Sequence, residues 1–223
     1  MSHHASRRLG AMATWIVILA ATSLTTAAAV NPAAPPADLA SVLSELRAGG
    51  LVIYFRHAST DQTGATDEDA DMAKCETQRN LSASGRKQAT KIGEAFHALG
   101  IPVGTVTTSP FCRCKDTAQL AFGRFTVSDD LYYSIGTDIS ETRRSALSLR
   151  RMLSAVPATR ANAVIVSHTA NLREATSIWP GTEGMAYVFR PSREGVFEVI
   201  AKVMPEDWGN LARRESSAQS KSR

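Results

Sequence analysis

The sequence predicts an α/β fold, namely a three-layer α/β/α domain with a mostly parallel central sheet. Apolar runs at 51–55 and 163–166, together with a run rich in β-branched residues at 103–108, have the length and composition of strands in a sheet. Segments with apolar residues at helical spacing separate these runs, and strands that alternate with helices usually pair in parallel. Polar residues follow each run, and the carboxyl ends of parallel strands share the edge at which such sheets bind ligands.

The first 29 residues have the pattern of a secretory signal peptide. Arg7 and Arg8 precede an apolar stretch over residues 11–21, and the alanines at 27–29 offer small residues to a signal peptidase. The stretch is short for a membrane span, and an uncleaved, anchored terminus is the alternative. We therefore expect an exported protein, either periplasmic or secreted.

A single domain of ordinary size remains between the terminal segments. Residues 30–37 form a linker rich in Pro and Ala, 38–208 form the domain, and 209–223 are predicted to be a polar, disordered tail. Of the 25 lysines and arginines, two lie in the leader and four in the tail, which leaves 19 basic against 20 acidic residues in the body. The body is nearly neutral despite the chain's pI of 9.1, so we expect no nucleic-acid partner and no membrane contact beyond the export signal.

The first elements follow from capping and periodicity. Asp38 is predicted to cap a helix that has its apolar residues on one face and ends at Gly49. The strand at 51–56 comes next and leads into an acidic loop over 59–79. Loops of this length in compact domains are usually functional or mobile, and a solvated insertion without function is the alternative.

The remaining elements alternate in the same way. Ser82 is predicted to cap a helix that ends at Gly100, and the strand at 103–108 follows. We expect Ser109 and Pro110 to begin the next helix, because Ser caps well and Pro fits the first helical position. Further along the chain, the predicted elements are a helix at 141–154, a strand at 163–166, a helix at 171–178 and strands at 185–189 and 196–203.

The chain contains three cysteines, Cys75, Cys112 and Cys114. In an exported protein this odd number indicates one disulfide and one free thiol, with Cys75 paired to one of the other two. Zinc is a weaker interpretation, because the spacing lacks a fourth ligand.

Residues suited to phosphate chemistry follow three of the predicted strands. Arg56 and His57 follow the first strand, Ser109 and Arg113 follow the second, and His168 follows the third. Arginine offers planar donors to phosphate oxygens, a helix N-terminus adds backbone N–H groups, and histidine can attack phosphorus. Convergence at one sheet edge therefore predicts a pocket for a phosphoryl group.

Four motifs resemble those of the histidine phosphatase superfamily, which has the phosphoglycerate-mutase-like fold. The first resembles the family's Arg-His-Gly turn, with Ala58 in the place of Gly. The second resembles Leu-Thr-x-x-Gly-x-x-Gln-Ala, the third Ser-Pro-x-x-Arg-x-x-x-Thr-Ala, and the fourth the segment around the second histidine. In order, the motifs occupy residues 56–60, 80–89, 109–118 and 166–171.

The resemblance implies a phosphatase, a phosphoric monoester hydrolase, in which His57 is the nucleophile. His57 would form a phosphohistidine that water then hydrolyses. The resemblance also implies that Arg56, Arg113 and His168 bind the phosphoryl oxygens, where their charge stabilises the transition state. It implies no metal and no cofactor.

The resemblance leaves the proton donor unassigned. Tyr133 stands where many family members have glutamate, and Thr169 stands where others have aspartate directly after the second histidine. We expect Thr60 and Asn80, in the first two motifs, to bind the substrate. The candidate proton donors are Asp61, Asp129, Asp130, Asp138 and Glu141.

The most favoured substrate is a small phosphomonoester or a phosphorylated envelope component. A phosphohistidine or phosphoprotein phosphatase is an alternative, because good leaving groups need no proton donor, and a non-catalytic phosphate-binding module is another. A mutase is the least attractive, since it needs a second anchoring site for a bisphosphate. Specificity is expected to lie in the loops at 61–79 and 129–142.

Overall fold

The computed structural model describes residues 38–67, 70–133, 136–158, 160–192 and 196–221. The helices α1 to α6 are Leu39–Ala48, Ala83–Leu99, Cys112–Phe122, Ile139–Ser154, Thr169–Thr176 and Pro205–Lys221. The strands β1 to β6 are Val52–Arg56, Val103–Thr108, Thr126–Val127, Asn162–Ser167, Ala186–Pro191 and Phe197–Val203. The predicted signal peptide and linker lie outside the described residues.

The strands form one six-stranded sheet in the order β3-β2-β4-β1-β5-β6. The pairs β2–β3, β2–β4 and β1–β4 are parallel, whereas β1–β5 and β5–β6 are antiparallel. The predicted fold class is therefore confirmed. Arg56 at the end of β1 pairs with Ser167 at the end of β4, and Thr108 at the end of β2 pairs with Val166. The residues that follow these three strands consequently leave the sheet at one edge.

Helices cover both faces of the sheet, because the side chains of β1 alternate between two cores. Ile53 and Phe55 face a core that includes buried residues of α1, α2, α3 and α6. Val52 and Tyr54 face a second core, which includes buried residues of α4 and α5. Burial of β1 on both faces is typical of a central strand in a parallel sheet.

The start of α3 differs from the prediction. The helix begins at Cys112, three residues after Ser109, and its N-cap Phe111 makes no side-chain capping hydrogen bond. The Ser109 hydroxyl lies 2.8 Å from Nε2 of His168. Its main side-chain contact is therefore to the histidine of the third strand end rather than to a helix terminus. A similar difference affects α5, which begins at Thr169, two residues before the predicted start.

The predicted disordered tail is wrong as far as Lys221, because α6 continues to that residue. Trp208, Leu211 and Ala212 are buried in the larger core, and the Trp208 ring lies 4.6 Å from that of Phe96. The later turns of α6 are mostly exposed. Their polar sequence therefore reflects a solvated helix that is anchored at its first turns.

The predicted cysteine pattern is confirmed. Cys75 and Cys112 form a disulfide, and Cys114 is a buried free thiol. Burial raises the pKa of the Cys114 thiol to about 12, so this side chain is a neutral part of the core. No helix among the described residues is long and apolar enough to cross a membrane.

Candidate active site

His57 lies directly beyond β1 and is held by the backbone on two sides. Its N–H donates to the Ser167 carbonyl at 3.0 Å, and its carbonyl accepts from the Gly184 N–H at 2.8 Å. The next residue is fixed as well, because the Ala58 N–H donates to the Thr117 hydroxyl at 3.0 Å. The threonine of the third motif thus supports the turn of the first.

The His57 ring has a defined tautomer. Nδ1 lies 2.9 Å from the Ala58 carbonyl oxygen, and a carbonyl can only accept, so Nδ1 carries the proton and Nε2 keeps its lone pair. Burial lowers the pKa of His57 well below 6.5, and the charge of Arg113 lowers this pKa further. His57 is therefore a neutral imidazole at neutral pH, the form that a nucleophile requires.

His168 faces His57 across the site, with ring centroids 5.5 Å apart. Its Nδ1 lies 3.3 Å from Nη2 of Arg113, and its Nε2 lies 2.8 Å from the Ser109 hydroxyl. Because a guanidinium can only donate, Nδ1 accepts and the proton lies on Nε2. Burial lowers the pKa of His168 well below 6.5, and the positive charge of Arg113 lowers this pKa further.

Arg113 is fully buried and links α3 to the acidic loop. Its Nη1 donates to Asp67 Oδ1 at 2.8 Å and to the Arg79 carbonyl at 3.3 Å. The guanidinium carbon lies 4.4 Å from the centroid of the Phe111 ring, an arrangement that is favourable for a cation over an aromatic face. The sequence predicted Arg113 as a site residue, and the structure places it in contact with His168 and close enough to His57 to lower the pKa of that ring.

Arg56 directs most of its donors to the loop before β5. Nη1 donates to the Gly181 carbonyl at 2.6 Å, and Nη2 donates to Glu183 at 3.3 Å. The buried Nε atoms of Arg56 and Arg113 have no hydrogen-bond partner among the described residues. A buried donor without a partner costs roughly 1–3 kcal/mol, so two such arginine donors in one site indicate a place for an anion.

Arg79 is a third arginine of the site, which the sequence analysis did not identify. Its Nη1 donates to the Thr60 hydroxyl at 2.7 Å and to Glu183 at 3.3 Å. Its charge acts with those of Arg56 and Arg113 to lower the pKa of both histidines. In the sequence, only its position directly before the second motif could have indicated that Arg79 belongs to the site.

Glu183 was also missed, because the turn-rich segment at 180–184 gives no periodic signal. Its carboxylate accepts from the Thr60 N–H at 2.9 Å and from the Thr60 hydroxyl at 2.8 Å. It also pairs with Arg56 and Arg79, each at 3.3 Å. All of these contacts serve to hold the first motif against the loop before β5.

The two predicted substrate-binding residues lie close together, and Thr60 forms an isolated β-bridge with Leu81 next to Asn80. The Thr60 hydroxyl is occupied by Glu183 and Arg79. The Asn80 amide donates to the Cys75 carbonyl at 2.5 Å, while its buried Oδ1 has no partner among the described residues. Thr60 thus links Glu183 and Arg79 and holds both side chains in place.

Four of the five predicted proton donors make other contacts in the structure. Asp61 accepts from Thr63 within its own loop, and Asp138 is the N-cap of α4. Asp130 accepts from the Ser148 hydroxyl. Glu141 pairs with Arg144 on the surface of α4, and Asp129 lies with Asp130 in a short 3-10 turn.

The two positions that the sequence resemblance compares with proton donors, Tyr133 and Thr169, do lie near the site. The Tyr133 ring centroid is 5.0 Å from that of His168. The Thr169 hydroxyl donates to the Pro180 carbonyl at 3.0 Å. An aromatic ring and a bound hydroxyl therefore occupy the two positions at which the resemblance would place a carboxylate.

The fold and the site together define an α/β protein with a buried set of histidine and arginine side chains that suits an anion. Residues 52–132 match the family model of the histidine phosphatase superfamily (branch 1). This segment contains the first three motifs, and the match supports the resemblance on which the site residues were chosen. No curated protein matches the chain significantly.

Solved structures give a concordant fold. A protein of Escherichia coli that is provisionally named an α-ribazole-5′-P phosphatase has a TM-score of 0.53 at 14% identity, over 70% of this chain and 97% of its own. A mycobacterial glucosyl-3-phosphoglycerate phosphatase in complex with VO3 has a TM-score of 0.50 at 13% identity, over 70% of this chain and 100% of its own. At these identities the likeness concerns the fold.

Proposed function

We propose that the protein is a phosphatase that hydrolyses a phosphomonoester through a phosphohistidine intermediate on His57. The observation that carries the proposal is the state of the His57 ring, which is buried, neutral and fixed by the Ala58 carbonyl with Nε2 unprotonated. The His168 ring lies 5.5 Å from it, and Arg113 contacts His168. The family match over 52–132 supports the same reaction.

In the proposed reaction, the lone pair of His57 Nε2 attacks phosphorus and the bond from phosphorus to the leaving oxygen breaks. The buried Nε–H donors of Arg56 and Arg113 would bind the phosphoryl oxygens, whose charge they stabilise as the transition state forms. Water then attacks the phosphohistidine, which releases inorganic phosphate and restores His57. The cationic donors belong to the protein itself, so we propose that the reaction needs no metal ion.

The test is a screen of the mature domain on p-nitrophenyl phosphate and a panel of phosphomonoesters, with and without EDTA. We expect hydrolysis that EDTA does not reduce and that His57→Ala abolishes. His97→Ala is the matched control, because His97 is an exposed histidine on α2. Normal turnover in His57→Ala would refute the proposal, and loss of activity with EDTA would require a metal-dependent mechanism instead.

A phosphohistidine or phosphoprotein substrate is the second candidate. The observation that favours it is Tyr133, which lies against His168 where family members carry a carboxylate. A phosphohistidine leaves without protonation by a strong acid, so such a substrate tolerates this replacement. Activity on a phosphohistidine peptide with none on alkyl phosphates would select this candidate, and phosphate binding without any turnover would select a non-catalytic module.

We also propose that the protein acts outside the cytoplasm. The leader at 1–29 and the disulfide between Cys75 and Cys112 support this location, because disulfides persist in oxidising compartments. Cell fractionation of the full chain and of a variant that lacks residues 1–29 tests it. Equal retention of both in the cytoplasm would contradict the proposal.

A further inference from the structure

One carboxylate touches the phosphate-binding machinery without a role in the reaction described so far. Asp67, in the acidic loop, accepts from Arg113 Nη1 at 2.8 Å through Oδ1. The Arg79 N–H lies 3.4 Å from the same oxygen, and Arg79 Nε lies 3.9 Å from Oδ2. The side chain of Asp67 is 15% exposed, whereas that of Arg113 is fully buried. Asp67 therefore covers the solvent side of Arg113.

The Arg113 guanidinium separates Asp67 from His168. Nη1 contacts Asp67, while Nη2 lies 3.3 Å from His168 Nδ1. The His57 ring lies 5.5 Å from that of His168, so a phosphoryl group bound along this guanidinium would have His168 at one end and Asp67 at the other. Because the attacking and leaving groups of phosphoryl transfer are roughly in line, an attack by His57 from the side of His168 would direct the leaving oxygen toward Asp67.

The other carboxylate of the site is less suitable. Glu183 accepts four hydrogen bonds or ion pairs, from Thr60, Arg56 and Arg79. It is a bound structural link. Asp67 has its main contact with Arg113, which is a group that the substrate itself would engage.

We propose that Asp67 is the proton donor to the leaving group, an inference that rests on the proposed function. The phosphoryl oxygens would bind the buried Nε–H of Arg113, while Asp67 contacts Nη1 of the same guanidinium. Like charges repel, so binding of the phosphoryl dianion favours uptake of a proton from water by the neighbouring carboxyl group. The disulfide from Cys75 to Cys112 ties the acidic loop to the first turn of α3, which keeps Asp67 near Arg113.

The protons and charges balance over both steps. In the first step His57 Nε2 bonds to phosphorus, the bond to the leaving oxygen breaks, and the Asp67 proton passes to that oxygen to form the alcohol. In the second step water attacks the phosphohistidine, and the Asp67 carboxylate takes the proton of the water. Inorganic phosphate leaves, His57 is a neutral imidazole again, and Asp67 returns to the protonated form that it has in the substrate complex.

The experiment compares a substrate that needs a proton donor with one that does not. Glycerol 2-phosphate has a poor alkoxide leaving group, whereas p-nitrophenyl phosphate releases a stable phenolate. Asp67→Asn is expected to lower the ratio of alkyl to aryl kcat/KM by roughly 10²–10⁴-fold, the usual contribution of a general acid. Asp67→Glu, which keeps the carboxyl group, is expected to recover part of the alkyl activity.

The matched control is Asp61→Asn, because Asp61 lies in the same loop and, among the described residues, its carboxylate accepts only from Thr63. Its ratio should equal that of the wild type. Inhibition by inorganic phosphate is measured in every variant to verify that the pocket is intact.

Three results would overturn the inference: an unchanged ratio in Asp67→Asn, an equal loss on both substrates, or equal losses in Asp67→Asn and Asp67→Glu. A gain on both substrates would also overturn it, because Asp67 would then only obstruct Arg113. Results that refute the proposed function are distinguishable from these. In that case the wild type would hydrolyse neither substrate, or His57→Ala would remain active.

Discussion

The site keeps two histidines neutral in a strongly basic environment. His57 and His168 are both buried, and the same three arginines act on each ring. Desolvation and repulsion between like charges both oppose the imidazolium form. The site thus combines a fixed positive charge for the phosphoryl group with an uncharged nitrogen for the attack. The carbonyl of Ala58 aims that nitrogen by holding the proton on the other side of the ring.

This arrangement predicts the pH dependence of activity. His57 has a pKa well below 6.5 in the free enzyme, so its protonation should reduce kcat/KM only at correspondingly lower pH. We expect that titration of the enzyme causes no decrease in kcat/KM between about pH 8 and pH 6.5, where 6.5 is the ordinary pKa of histidine. The measurement is a profile of kcat/KM for p-nitrophenyl phosphate, corrected for the titration of the substrate. An acidic limb with its midpoint at 6.5 or above would contradict the prediction.

The lowered pKa values also affect stability, with a definite sign. Below 6.5 the unfolded chain takes up protons on these histidines while the native protein does not. The free energy of unfolding should therefore be highest above this pH and should fall as the pH drops toward the native pKa values.

The sequence placed Arg56, His57, Arg113 and His168 because each follows a strand or begins a helix at the same sheet edge. The remaining residues of the site reach it from irregular segments. Asp67, Arg79 and Glu183 belong to loops whose paths have no period, and only tertiary contacts bring them to the histidines. Their residue types alone could not distinguish them from solvated surface charges.

At the scale of elements, the approach of α2 to the loop after β1 determines how the first two motifs meet. The Ser82 N–H donates to the Ser59 carbonyl at 3.0 Å, and the Ser82 hydroxyl accepts from the Gly85 N–H at 3.0 Å. A Cβ at Gly85 would lie 1.8 Å from the Ser59 carbonyl oxygen. The glycine of the second motif is therefore required because the backbone that follows His57 packs directly on it.

Gly85→Ala should therefore destabilise the protein although alanine favours helices by about 1 kcal/mol. The Ser59 carbonyl must move, and we expect a loss of about 1–3 kcal/mol in the free energy of unfolding, as in other overpacked sites, together with reduced kcat. Gly64→Ala is the control, since a Cβ at Gly64 would meet nothing within 4 Å. Denaturant unfolding of both variants provides the measurement. Equal stability of the two would show that the contact at Gly85 is readily relieved.

Most elements could be predicted from local signals, and the exceptions involve tertiary contacts. Asp38 and Ser82 cap α1 and α2 as expected, because the capping residue and the first turn are adjacent in sequence. Ser109 does not cap α3, which begins three residues later. Its hydroxyl lies 2.8 Å from Nε2 of His168 and accepts a longer hydrogen bond of 3.4 Å from the Phe111 N–H, so a tertiary contact accompanies the local one.

For the whole molecule, the two cores differ in how far they depend on the end of the chain. The core that faces Phe55 includes Trp208, and the two rings lie 5.9 Å apart. The sequence beyond Gly209 was predicted to be a disordered tail because a solvated helix and a disordered segment have similar composition. The buried ring of Trp208 at the start of α6 fixes the helix to the core, and the polar composition after it does not reveal this.

Trp208→Ala should therefore destabilise the whole domain. Replacement of a fully buried aromatic residue by alanine usually costs about 3–5 kcal/mol, and Trp208 is fully buried. Trp179→Ala is the matched control, since the Trp179 residue is 58% exposed, and its effect on unfolding should be small. Equal midpoints for the two variants in thermal unfolding would contradict this prediction.

The disulfide between Cys75 and Cys112 joins residues that are 37 positions apart and closes a covalent ring that contains all of α2 and β2. The disulfide joins the loop of Asp67 to the helix of Arg113. Thiol reagents that reduce it would therefore affect activity without reacting with a catalytic side chain. Dithiothreitol in purification buffers would open this ring. Protein prepared in the cytosol of an ordinary expression host would lack it from the start. The oxidised form is consequently the one in which a weak or selective activity should be sought.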